Sequence, residues 1–196
     1  NDSALHLMGL VSSGGVHSYN EHLYALIELA KKQKVTRLFV HCFLDGRDVP
    51  YNSGLNFITK LQDKLKEVGL GQIATLSGRF WAMDRDNRWD RVEKAFRAMV
   101  DGESDKKYED PLKAIQDSYD TKVYDEEFVP TIITNDLGKP RAQIKDKDAI
   151  IYFNFRSDRA RQLTQSLVLP AFEKFKRDYF QNLFMVTMAE YEKDLP

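Results

Sequence analysis

Short apolar runs alternate with amphipathic stretches along most of this chain, and the alternation predicts a β-α-β-α-β opening. Leu5 to Val11 reads as a first strand, followed by a flexible Ser12-Ser13-Gly14-Gly15 turn. Ser18 with Glu21 three residues later has the spacing of a capping box, so a helix is expected to start near Tyr19, with Leu23, Leu26, Ile27 and Ala30 on its inner face. Arg37 to Phe43 is apolar almost throughout, the pattern of a strand covered on both faces. It runs into the polar loop Asp45-Gly46-Arg47-Asp48-Val49-Pro50. Leu55, Ile58, Leu61, Leu65 and Val68 define a second helix, stopped by Gly69 and Gly71. Gln72 to Leu76 is a third strand, leading to Ser77-Gly78-Arg79.

The second half is less regular. Asn87 with Asp90 suggests another capped helix, with Trp89, Val92, Phe96 and Met99 facing inward and Gly102 ending it. Tyr108 to Tyr119 reads as helical. Phe128 to Thr134 and Arg141 to Ile144 flank Asn135-Asp136-Leu137-Gly138 and read as a β-hairpin. Ala149 to Phe155 predicts a strand, Asp158 to Leu169 a helix and Leu183 to Met188 a last strand. The expected fold class is α/β: a mainly parallel sheet with helices on both faces and an added β-hairpin.

Length and composition narrow the function more by exclusion than by assertion. The 196 residues suffice for one substantial domain. A formal net charge of -1 gives no global basic field for nucleic acid, so any anion site must come from local clustering of Arg and Lys. No apolar stretch approaches the ~20 residues of a membrane span. The single cysteine, Cys42, cannot build a disulfide framework or a multi-cysteine zinc site, which fits a reducing, cytoplasmic setting. All four histidines lie within the first 41 residues, and no Asp/His clustering suggests a metal centre in this chain.

In open α/β sheets, ligands sit beyond the carboxyl ends of the strands. His17 follows the first predicted strand, Arg47 and Asp48 the second, Arg79 and Arg85 the third, and Arg156 and Arg159 the strand from Ala149. Four loops that should share one sheet edge therefore carry five arginines, one histidine and one aspartate. Guanidinium groups match phosphate or carboxylate bidentately, and helix N-termini add backbone N–H donors. Crowding them costs energy unless an anion or acidic neighbours neutralise them. A small ligand carrying a phosphate and a carboxylate suits such a pocket. Each residue also has a plainer reading: a surface ion pair for Arg47 and Asp48, a snorkelling side chain for Arg79, a solvated network for Arg85, Arg88 and Arg91 among Asp84, Asp86 and Asp90, and a basic helix start for Arg156 and Arg159. Arg161 is assigned to that plainer role, His6 and His41 to strand interiors, and His22 to a helix surface. Neither a G-x-G-x-x-G nor a G-x-x-x-x-G-K-[ST] phosphate loop is present.

Four stretches carry a resemblance. They are Gly9-Leu10-Val11-Ser12-Ser13-Gly14-Gly15-Val16-His17-Ser18; His41-Cys42-Phe43-Leu44-Asp45-Gly46-Arg47-Asp48-Val49; Thr75-Leu76-Ser77-Gly78-Arg79-Phe80 with Met83-Asp84-Arg85-Asp86-Asn87-Arg88-Trp89-Asp90-Arg91-Val92; and Tyr152-Phe153-Asn154-Phe155-Arg156-Ser157-Asp158-Arg159-Ala160. In order and spacing the chain resembles the cofactor-independent (2,3-bisphosphoglycerate-independent) phosphoglycerate mutases over nearly its whole length. The resemblance implies interconversion of 3-phosphoglycerate and 2-phosphoglycerate, in glycolysis and gluconeogenesis, through a phosphoserine intermediate. It implies a two-domain enzyme in which an alkaline-phosphatase-like domain holds two manganese ions, the nucleophilic serine and a lysine. Residues 1–196 would be the inserted substrate-binding, phosphotransferase domain, crossing back to its partner near Met188-Ala189-Glu190-Tyr191.

By position, the resemblance makes His17, Arg47, Asp48, Arg79, Arg85, Arg156 and Arg159 the substrate-binding residues. Asp48 is similar to the group thought to take the proton of the accepting hydroxyl, a role a positioned carboxylate can fill. The expected partners are the two phosphoglycerates and the missing phosphatase-like domain, with no nucleic acid and no membrane; this chain itself is expected to bind no cofactor and no metal. Alone it should lack mutase activity. Two alternatives stay open: a stand-alone, non-catalytic binder of a small phosphorylated acid, using the same arginines, and an interaction module whose arginines are scattered over the surface.

Overall fold

The backbone of the computed structural model, which describes residues 3–193 and 195, follows the predicted alternation closely in its first half. Strand β1 (Leu5–Leu10), helix α1 (Asn20–Lys32), β2 (Leu38–Leu44), α2 (Gly54–Val68) and β3 (Gln72–Gly78) are followed by the short α3 (Arg79–Ala82) and by α4 (Trp89–Val100). Then come β4 (Lys106–Tyr108), α5 (Pro111–Asp120), β5 (Thr131–Ile133), β6 (Ala149–Tyr152), α6 (Arg161–Val168) and β7 (Phe184–Thr187). The seven strands form one sheet in the order β4-β5-β3-β2-β1-β6-β7, parallel except where β5 runs against β3.

Alternation of side chains along the buried strands feeds two cores. Leu7, Val40, Cys42, Leu44 and Leu76 pack with α1, α2 and α5 on one face. Met8, Leu10, Phe43, Ile150 and Tyr152 pack with α4 and α6 on the other. The mainly parallel sheet between two helical layers is the expected α/β fold.

One run of buried polar groups crosses the sheet from strand to strand. Asp148 Oδ2 lies 3.2 Å from His6 Nε2, His6 Nδ1 lies 2.9 Å from His41 Nε2, and His41 Nδ1 lies 2.9 Å from Thr75 Oγ1. With Asp148 ionised, this chain assigns an Nε2–H tautomer to both rings and makes Thr75 the terminal donor. His6 and His41 are thus fully buried structural groups, as their strand positions suggested.

Several local expectations fail for identifiable reasons. The capping box at Ser18 does not form, because the Ser18 hydroxyl donates to the Leu10 carbonyl at 2.5 Å; α1 instead starts at Asn20, whose N–H donates to the Ser12 carbonyl. Asn87 does not cap α4: it adopts a left-handed φ of 59°, and Asp84 Oδ1 accepts the N–H groups of Asp86 and Arg88. Tyr108 belongs to β4, not to a helix, since Asp110 caps α5 through the Leu112 N–H. The hairpin shrinks to a turn closed by one bridge, Thr134 to Pro140, because β5 spends its edges on β3 and β4.

The predicted strand from Ala149 stops at Tyr152, short of Phe155. Beyond it, Leu10 N–H donates to the Asn154 side chain at 2.9 Å in place of a backbone partner. Gly9 permits this approach, since a Cβ there would sit 2.8 Å from both Asn154 Oδ1 and the Phe153 ring. Residues 153–160 are thereby released as a loop at the carboxyl edge of the sheet.

Candidate functional site

The loops after β1, β2, β3 and β6 meet at that edge. The Asp45 carboxylate, 1% exposed, organises its floor. It accepts the Ser12 hydroxyl at 2.6 Å and the N–H groups of Arg47 and Asp48 at 3.2 and 3.0 Å, which shapes the loop after β2. Arg79, the first residue past β3 and only 2% exposed, donates through Nη1 to Asp45 Oδ1 and to Asp48 Oδ2, both at 2.6 Å. Gly78 lets the chain reach this point: a Cβ there would meet the Glu126 carbonyl oxygen at 2.2 Å and the Phe128 nitrogen at 2.6 Å. Arg79 is therefore not a snorkelling surface group but the buried cation that ties the second loop to the third.

His17 lies beside this pair, 3% exposed, with Nε2 3.9 Å from Asp48 Oδ2 and Nδ1 3.6 Å from Asp158 Oδ1. Burial, reinforced by the Arg79 charge, pushes its pKa down from 6.5 to about 4, so the ring is neutral at pH 7. Asp158 pairs with Arg85 through a 2.7 Å hydrogen bond and has Arg156 Nε at 3.0 Å. One connected cluster thus joins His17, Asp48, Arg79, Arg85 and Arg156. Arg47 and Arg159 sit at its margin. Arg47 pairs with Glu126 at 3.0 Å, and Arg159 Nη1 donates to the Met83 carbonyl at 3.2 Å. Burial, and then the charges of Arg85, Arg79 and Arg47, lower the Arg159 pKa.

The residues missed from sequence are the carboxylates. Asp45, Asp84 and Asp158 each lie within two residues of a flagged arginine, and that proximity was the available signal. Asp84 in particular is not part of a solvated network; it is 3% exposed, holds the loop that projects Arg85 and accepts from Gln162. Glu126 and its buried neighbour Asp125 come from a distant segment and had no local signal. Asp125 accepts the Tyr119 hydroxyl and, at 2.7 Å, the Gly54 N–H at the start of α2. Its pKa is raised to about 6, chiefly by burial. Arg161 stays outside the cluster, donating to the Tyr191 carbonyl at 2.7 Å. Cys42 is buried among apolar groups, which pushes its thiol pKa far up and leaves it inert. Among the described residues no group of three or more His, Cys, Asp or Glu side chains could hold a metal ion, and none of the helices is long and apolar enough to cross a membrane.

Residues 1–193 match the family described as BPG-independent PGAM N-terminus. The chain belongs to this family. Within it, the chain is 55% identical over 192 residues to the 2,3-bisphosphoglycerate-independent phosphoglycerate mutase of Clostridium acetobutylicum, covering 98% of this chain and 37% of that protein. It is 50% identical over 198 residues to 2,3-bisphosphoglycerate-independent phosphoglycerate mutase 1 of Methanosarcina barkeri, covering 100% of this chain and 38% of the relative. The crystal structure of Leishmania mexicana phosphoglycerate mutase at low cobalt concentration superposes with a TM-score of 0.94 at 36% identity, covering 100% of this chain and 37% of that one. The chain therefore spans under two fifths of the length of these relatives.

Proposed function

We propose that the cluster at the carboxyl edge binds a phosphoglycerate, and that the chain serves as the substrate-binding, phosphotransferase domain of a longer mutase interconverting 3-phosphoglycerate and 2-phosphoglycerate. The observation that carries this reading is the linkage of Asp48, Arg79, His17, Asp158, Arg85 and Arg156 across four loops of one sheet edge. Membership of the family supplies the reaction. The cationic side chains of Arg47, Arg85 and Arg156 are 54, 44 and 48% exposed, so they can turn toward an anion, whereas buried Arg79 cannot. In this reading the exposed arginines with Arg159 take the phosphate and carboxylate of the substrate, His17 adds a neutral polar contact and Asp48 takes the proton of the attacking hydroxyl. Arg79 keeps the Asp48 carboxylate aimed.

The nucleophilic serine, the lysine and the manganese ions of the resemblance belong, in this proposal, to the remaining part of the longer protein. The isolated chain is then a binder without turnover, acting in the cytoplasm. Titration with 3-phosphoglycerate to about 10 mM, followed by NMR, tests this, since half of a two-sided site should bind in the millimolar range at about -4 kcal/mol. Saturable shifts in the loops around His17, Arg47, Arg79 and Arg156 that vanish with Arg85→Ala support the site. Unchanged shifts with Arg85→Ala, or manganese-dependent turnover by the chain alone, count against it.

A further inference from the structure

The proposed function leaves Asp158 without a role, yet its three ion-pair partners, His17, Arg85 and Arg156, are all residues of the cluster. Asp158 precedes α6 but is not its N-cap; that position is Ala160. Its Oδ2 takes the Arg85 hydrogen bond. Its Oδ1 is buried and without a hydrogen bond although two donors stand near: Arg156 Nε at 3.0 Å, out of hydrogen-bonding geometry, and His17 Nδ1 at 3.6 Å. His17 Nδ1 is likewise buried and without a hydrogen bond. Two buried polar atoms facing each other just beyond hydrogen-bond range cost free energy that a small closing movement recovers.

The neutral His17 ring carries one proton, and the geometry decides where. On Nε2, the proton would face Asp48 Oδ2 at 3.9 Å, an oxygen already satisfied by Arg79, and the Nδ1 lone pair would confront the Asp158 carboxylate inside the protein. On Nδ1, the proton points at the unfilled Asp158 oxygen over the shorter path, between two atoms that are both withdrawn from solvent, and the Nε2 lone pair is left beside Asp48. The second arrangement pairs the two buried, unfilled atoms and leaves the lone pair on the longer approach, to an oxygen that Arg79 already fills, so it wins.

We infer that Asp158 is a positioning residue of this site: it fixes the His17 ring as the Nδ1–H tautomer, with the Nε2 lone pair beside Asp48, and gathers Arg85 and Arg156 on one carboxylate. This rests on the phosphoglycerate reading for its purpose, not for its geometry. A carboxylate beside arginines repels any anion, so Asp158 serves arrangement rather than attraction. Inorganic phosphate, which needs only charge, should gain or keep affinity when Asp158 is removed. 3-Phosphoglycerate, which must span several arginines at once, should lose it.

The test compares the wild-type chain with Asp158→Ala and Asp158→Asn. Two-bond proton–nitrogen spectra of the histidine side chains at pH 7 report the tautomer without any ligand. The expected result is Nδ1–H for His17 in the wild type, a shift toward Nε2–H in Asp158→Ala, and retention in Asp158→Asn, which keeps an acceptor oxygen. His6 and His41, held by Asp148 and Thr75, should keep their Nε2–H signals and show that the variants are folded. In parallel, the ratio of 3-phosphoglycerate to inorganic phosphate affinity should fall about tenfold in Asp158→Ala, a loss of about 1.4 kcal/mol of discrimination. An unchanged His17 tautomer in Asp158→Ala overturns the inference. So does an unchanged affinity ratio in a wild type that binds both ligands. If the wild type binds neither ligand, the phosphoglycerate reading of this chain fails, while the tautomer still decides whether Asp158 positions His17.

Discussion

Replacing Arg79 by Met should unfold the floor of the site before it alters anything else. Both Arg79 and Asp45 are essentially withdrawn from solvent, and the guanidinium Nη1 serves Asp45 and Asp48 at 2.6 Å each. Methionine fills the unbranched stem but leaves the Asp45 carboxylate buried without its cation. Breaking a buried pair from one side costs about 3–5 kcal/mol. Asp45 keeps the Ser12 hydroxyl and two backbone N–H groups, so the lower end, about 3 kcal/mol, is the expected loss. Against a total stability of about 5–15 kcal/mol this is large. In urea, with a slope of about 2 kcal/mol per molar, the midpoint should fall by about 1.5 M. Adding Asp45→Asn removes the stranded charge and should recover about 1–2 kcal/mol of the loss, measured as the coupling in a double-mutant cycle. A loss under about 1 kcal/mol for Arg79→Met, the size expected of an exposed ion pair, would refute the reasoning.

The remaining predictions concern protons and the buried relay. His17 is neutral in the fold down to about pH 4 but takes up a proton below 6.5 when unfolded, so its contribution is full above pH 6.5 and is lost as pH falls toward 4. Asp125, raised from 3.8 to about 6, acts oppositely: its contribution is full below pH 3.8 and is lost as pH rises through 6. Each is worth on the order of 3 kcal/mol over its window. Fully buried His41, whose pKa burial also holds well below 6.5, adds a second acid-sensitive contribution, so Asp125 offsets only one of the two histidines and wild-type stability should fall as pH drops from 6 to 4. Asp125→Asn should steepen that fall; parallel wild-type and Asp125→Asn profiles from urea unfolding would show that Asp125 offsets neither. Thr75→Val keeps the side-chain shape but deprives buried His41 Nδ1 of its 2.9 Å partner, so about 1–3 kcal/mol should be lost, read from denaturant midpoints with His41→Ala/Thr75→Val closing the cycle.

The layered sheet was legible because its strands are buried on both faces and read as apolar runs, and the arginine loops were legible because a doubly covered parallel sheet sends its loops to one edge. Where the pattern misled, a polar side chain had two competing partners. Ser18 could cap α1 or donate to Leu10, and the carbonyl, itself buried, took it. Asn87 could cap α4, but Asp84 already bound the N–H groups there. Tertiary partners decide such contests, and a window of neighbouring residues does not contain them. The same holds for Glu126, which meets Arg47 across 79 positions of chain.

That division between what is buried and what is exposed also explains how the site can grip a ligand. Five arginines near one another would repel strongly, yet four carboxylates, Asp45, Asp48, Glu126 and Asp158, are threaded among them. Neutralisation is uneven. Arg79, deepest, holds two carboxylates and has no freedom to leave them. Arg47 and Arg85 hold one each at the surface, where an ion pair is worth only about 0–1 kcal/mol. An arriving phosphate can therefore take over Arg47 and Arg85 at little cost, while the Arg79–Asp45–Asp48 floor stays fixed beneath it. A cluster in which all arginines were equally buried would be stable but closed to anions. One in which all were equally exposed would admit anions without orienting them. The gradient from buried to exposed supplies both properties in one cluster, and it predicts that substitutions at Arg47 or Arg85 weaken binding with stability unchanged to within about 0.5 kcal/mol, whereas Arg79 cannot be changed without losing both.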